Sequence, residues 1–147
     1  MGEALDRMHS TRAAVRRLNN VQLAIKLEGE DWKPPGIRAP GISDPTASKA
    51  IYRADELTQV MQALKDEERE LIEFIGTSLR LIESVRRGLG TSYGDVLEWL
   101  YIDCLSWADI WDLYRVPKST GHERRTIALD WIDSIGLRKV LRGEYDL

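Results

Sequence analysis

Lys118, Ser119, Thr120, His122, Arg124 and Arg125 stand within eight consecutive residues. Such a density of cations and hydroxyls suits an anionic surface rich in hydrogen-bond acceptors. Lysine and hydroxyl groups can hold phosphate oxygens, and an arginine can make two parallel bonds to guanine O6 and N7. Capping of a helix explains Thr120 equally well, because Thr120 and Glu123 have the spacing of a capping box. A second basic group, Arg138, Lys139 and Arg142, follows. It could either grip phosphate or balance Glu144 and Asp146.

Other chemistries have poorer support. His9 and His122 are far apart and neither sits in a metal-ligand spacing, while Cys104, the single cysteine, has no recognisable partner base. Asp109 and Asp112 share a helix face but lack further ligands. The glycines of GLGTSYG, residues 88–94, lack the GK[ST] ending of a phosphate loop. The chain is therefore read as non-enzymatic, with no cofactor and no metal.

The elements that must position these groups are helical. Residues 4–27 carry Leu5, Met8, Val15, Leu18, Val21 and Ile25 at helical spacing without proline. The prolines and glycines of residues 28–44 then deny both helix and central strand their hydrogen bonds. Asp44 before Pro45 is a strong helix start. From there a seam at steps of three and four runs from Ala47 to Val85, interrupted only by Glu68 and Ser78, and predicts a helix over about 45–87. A helix of about forty residues is about 60 Å long, more than a compact globule of this size needs. It must pair with the first helix or with a second copy of the chain. Shorter helices are expected over 95–103, 106–114 and from 118 or 120 to 135. The fold class is all-α: a long helical hairpin or coiled-coil arm over residues 1–88, then a C-terminal three-helix unit over 95–147.

In that unit Ser106 and Asp109 read as a capping box, Ile110, Leu113 and Val116 as apolar anchors, and Pro117 as the stop. A short helix, a tight turn and a longer helix with Ala128, Leu129, Trp131, Ile132 and Ile135 facing inward fit a helix-turn-helix. In such motifs the first turns of the second helix enter the major groove. Trp99, Trp107, Trp111 and Trp131 read as core for so small a unit, with a patch for a protein partner such as RNA polymerase as the alternative.

Composition bounds these readings. The 147 residues include 43% apolar and 31% charged ones, enough for a buried core and a solvated surface. A net charge of -3 removes the simplest signature of a nucleic-acid binder, so any such binding must come from local clustering. Residues 101–147 hold seven basic and eight acidic side chains, so binding should be modest and salt-sensitive. One cysteine, no long apolar run and no apolar secretion signal in MGEALDRMHSTRAAVRR point to a cytoplasmic protein that does not enter membranes. Arg12, Arg16 and Arg17 read as the solvated side of a pairing helix.

The phrase SDPTASKA opening the long helix, then LSWADI at 105–110, then the basic helix from Lys118 ending in Ala128 and Leu129, resembles the small phage-encoded late transcription regulators of the ArpU and RinA type. The C-terminal motif of that family is similar to the last DNA-binding region of bacterial sigma factors. The resemblance covers residues 41–135 and implies binding of double-stranded DNA and control of transcription in a prophage or mobile-element setting. The sites it implies are Lys118, Ser119, Thr120, His122, Arg124 and Arg125, with Arg138 and Lys139 beyond the motif. Pairing of the arm would make a homodimer and double the contact area.

Three positions depart from the motif: Trp111 replaces a small residue, Arg115 a turn glycine and Gly121 an apolar residue. Trp111 is expected to fill the space left by Gly121, so that Trp111→Ala would cost about 3 to 5 kcal/mol. Arg115 could enter a left-handed turn only at a cost, so a different turn is expected. The alternative to a DNA-binding regulator is a structural or adaptor protein with a degenerate motif that presents tryptophan to a protein partner.

Overall fold

The computed structural model describes residues 2–31 and 44–145, with side chains placed over 2–29 and 54–145. The fold is all-α. Helix α1 spans Glu3–Asp31, α2 Asp44–Gly88, α3 Thr91–Leu97, α4 Trp107–Tyr114, α5 Lys118–Ile135 and α6 Leu137–Leu141. A π-helical turn, Glu98–Ile102, continues α3, and no strand occurs among the described residues. The Pro/Gly segment lies almost wholly outside the described residues, as do the Asp44 side chain and Asp146. Helix α1 runs four residues past the expected end at Leu27.

Two compact units are present, Met1–Arg16 with Ile72–Leu147, and Arg17–Leu71. The boundary between these units passes through both long helices. The reason lies in the core of the first unit. Ala4 and Met8 of α1, and Leu81, Ile82 and Val85 of α2, are buried in the same cluster as Val96, Leu97, Ile110, Leu129, Ile132 and Val140. The Ala4 N–H donates to Asp133 Oδ1 at 2.9 Å, so a side chain of α5 satisfies one of the donors that the start of α1 leaves open.

The α2 seam is visible in burial. Ala54, Leu57, Met61, Leu64, Glu68 and Leu71 are half-buried, and Ile75, Ser78, Ile82 and Val85 are buried. Ser78 is no flaw in this pattern. Its hydroxyl lies 2.7 Å from Thr11 Oγ1 and accepts from Arg7 Nε at 3.0 Å, while Thr11 Oγ1 donates to the Arg7 carbonyl at 2.7 Å. The buried polar groups are therefore paired, as burial demands. In the second unit Arg17 donates to both carboxylate oxygens of Glu67, and Leu23, Leu27 and Val60 are about half exposed.

The glycines of residues 88–94 serve close packing and a turn. A Cβ on Gly88 would collide with the indole of Trp131, and one on Gly94 with the Arg86 side chain. Gly90, at φ 131°, stands at the start of α3 in a conformation that an L side chain rarely adopts. Arg86 then holds the end of α2 to the next elements through Asp95 at 3.1 Å and Glu98 at 3.2 Å. The expected helix over 95–103 is divided differently, because α3 starts at Thr91 and Glu98–Ile102 adopts the wider π turn, closed by Asp103 N–H on the Glu98 carbonyl at 2.9 Å.

Candidate functional site

The segment 106–135 begins with the expected capping box. The Ser106 hydroxyl accepts from the Asp109 N–H at 3.1 Å, and the Asp109 carboxylate accepts from the Ser106 N–H at 3.0 Å. The bond from the Ser106 backbone, with a smaller share from its hydroxyl, holds the Asp109 carboxyl below the usual carboxylate range. A carboxyl depressed in the folded chain contributes stability that is present above the unfolded-state value and lost as pH falls through the folded-state value. Wild type should therefore exceed Asp109→Asn in urea midpoint at pH 7, and the gap should close below about pH 4. An equal gap at pH 7 and pH 2.5 would contradict this assignment.

Helix α4 ends at Arg115, which is in the left-handed region at φ 58° and ψ 34°. The expectation of a different turn is corrected: an arginine occupies the conformation that favours glycine. Its N–H closes on the Trp111 carbonyl at 2.9 Å, and its guanidinium lies 5.4 Å from the centre of the Trp111 ring. These contacts offset part of the cost of the turn.

Trp111 itself is 44% exposed and does not fill the space at Gly121. Trp107 does. A Cβ on Gly121 would stand 2.6 Å from Trp107 Cζ3, so the bare helix backbone accepts the six-membered ring of the indole. The correction follows from helix geometry, since Trp107 is one turn before the buried Ile110 while Trp111 is rotated about 100° from it. Leu113, expected as an anchor, is 64% exposed beside the end of α4.

Helix α5 starts at Lys118 with Pro117 as N-cap, and the Gly121 N–H meets the Pro117 carbonyl at 2.9 Å. No side chain caps this end, so the Thr120–Glu123 box does not form. Thr120 instead lies inside the first turn and is half-buried. Gly121, Ala128, Leu129 and Ile132 face the core.

On the same helix Lys118, Ser119 and His122 are exposed, and Arg124 and Arg125 are half-buried. Lys118, His122 and Arg125 share one strip at steps of four and three. Arg125 Nη2 donates to His122 Nδ1 at 3.1 Å, and Arg125 Nε is buried without a partner. Among the described residues neither Arg124 nor Arg125 is in a salt bridge with a carboxylate. Arg138 and Lys139 are exposed on α6, where they border a cavity with Arg7 of α1. Arg7 has no signal in the sequence that links it to them, because the link is made by the fold.

Among the described residues no group of three or more His, Cys, Asp or Glu side chains could hold a metal, and no helix is long and apolar enough to cross a membrane. No family model, curated protein or solved structure matches the chain.

Proposed function

We propose that the chain is a sequence-specific binder of double-stranded DNA that regulates transcription in a prophage or mobile element. In this reading α4, the turn at Arg115 and α5 act as a helix-turn-helix, and α5 enters the major groove with its first turns. The observation that carries it is the sidedness of α5: the inner face is closed by Trp107 on Gly121, while Lys118, Ser119 and His122 are solvent-facing at an end without a side-chain cap. Open N–H groups at a helix start suit phosphate, and the two arginines that follow carry no carboxylate partner among the described residues. The paired α1 and α2 form the arm, and Leu23, Leu27 and Val60 offer a surface for a second copy. Two reading heads would supply the affinity that one weakly charged head lacks. A cytoplasmic location goes with this role.

Selection of bound fragments from a random DNA pool at two salt concentrations tests the reading. One enriched sequence is expected at both, with weaker retention at the higher salt. Recovery of the pool without enrichment would reject sequence-specific binding.

The second reading is an adaptor that presents α4 to a protein such as RNA polymerase. It is favoured by the exposure of Trp111, Leu113 and Tyr114 at 44%, 64% and 47%. Large exposed aromatics are typical anchors of protein interfaces.

A further inference from the structure

A cavity of about 650 Å³ lies within the first unit, bordered by α1, α2, the end of α5 and α6. That volume is in the range of sites that bury a small molecule, about 300 to 1,000 Å³. Its walls are largely carbon, from Leu81, Ile135, Leu137 and Leu141. Four cations, Arg7, Arg138, Lys139 and Arg142, line it against one carboxylate, Glu3. Arg142 is already answered by Glu144 at 3.1 Å, which leaves three cations to Glu3.

Arg7 is a fixed charge. It donates to Ser78 Oγ at 3.0 Å and to the Phe74 carbonyl at 2.8 Å, and it lies 3.7 Å from the centre of the Phe74 ring. Two of the five donors of a guanidinium are thereby used, and the others remain for a ligand. Arg138 and Lys139 are exposed, and their long stems let the two charges reach a head group. A phosphate backbone needs cations alone, whereas a concave site with a carbon floor and a cationic rim matches a molecule with two ends.

We propose that this cavity binds a small free amphiphilic anion, an apolar body carrying one carboxylate, sulfonate or phosphate head. The head meets Arg7, Arg138 and Lys139, and the body covers Leu81 and Leu137. The inference stands apart from the DNA reading, and its test contains no DNA.

The probe is 8-anilinonaphthalene-1-sulfonate, titrated into the full chain at pH 7 and followed by its fluorescence. Saturable binding of one probe per chain is expected. Arg138→Ala/Lys139→Ala should weaken it at least tenfold while the circular dichroism stays that of wild type. A competition on wild type needs no variant: decanoate should displace the probe, and decyltrimethylammonium of equal chain length should not. Displacement by both alike, unsaturable binding, or a folded double variant that binds as wild type would overturn the proposal. Sedimentation with phosphatidylglycerol vesicles, without displacement by decanoate, would assign the cations to a lipid surface and overturn it too.

Discussion

Trp107→Ala is expected to lower the free energy of unfolding by about 3 kcal/mol, the lower end for a truncated tryptophan because the side chain is half-buried. Trp111→Ala, four residues on, should stay within about 1 kcal/mol, as surface changes usually do. The two differ in what they cover. The Trp107 indole lies over the bare backbone at Gly121, where an added Cβ would be 2.6 Å from Cζ3. Trp111 is 44% exposed and keeps company with the Arg115 guanidinium. A double-mutant cycle sharpens the contrast. Gly121→Ala alone gains about 1 kcal/mol of helix propensity but loses about 1 to 3 kcal/mol to overpacking against the indole. It should destabilise the wild type and stabilise a Trp107→Leu background, where the ring is gone. Urea unfolding of the four proteins reads this sign change. Equal effects of Gly121→Ala in both backgrounds would mean that the indole does not rest on residue 121.

The periodic features of the fold were legible because they depend on spacing alone. The α2 seam needed only steps of three and four, and the Ser106–Asp109 box needed only two residue types three apart. Ser78 was read as an interruption of that seam since its partners, Thr11 and Arg7, lie in another helix. Long-range pairing has no trace in the spacing around Ser78.

Trp107 and Trp111 show a different failure. Both precede a glycine in a facing helix, and volume conservation pointed to Trp111 as the ring that fills the gap, whereas Trp107 fills it. The phase of α4 decides it: Ile110 is buried, which puts Trp107 inside and Trp111 near the rim. The turn was misjudged because the penalty for a left-handed arginine was weighed without its local contacts. The Arg115 N–H and guanidinium both return to Trp111, which offsets part of that penalty. Of the candidate site, the exposure of Lys118, Ser119 and His122 followed from the inward face of α5, while the placing of Arg138 and Lys139 beside Arg7 required the fold.

Arg124→Ala/Arg125→Ala is expected to abolish retention of DNA under the proposed function, and single substitutions should separate the roles of the two. An arginine with two bonds to a guanine is worth about 1 to 3 kcal/mol, which is roughly five- to 150-fold in affinity. Two such losses at one interface, about 2 to 6 kcal/mol together, reach the lower part of the margin of about 4 to 10 kcal/mol between specific and nonspecific binding, where a modest binder lies. Arg125 starts from a more constrained state, since its Nη2 is held by His122 and its Nε is buried. Base contact by Arg125 must therefore break or share the bond to His122, whereas Arg124 has no such partner among the described residues. Arg124→Ala should thus relax preference at one base position, read by repeating the selection, and Arg125→Ala at another. Lys118→Ala should act otherwise, weakening all sequences alike and reducing the salt slope by about one, as loss of a phosphate contact does. If the double variant retains DNA as wild type does while Trp111→Ala abolishes capture by RNA polymerase, the exposed end of α4 carries the function and the adaptor reading replaces the regulator.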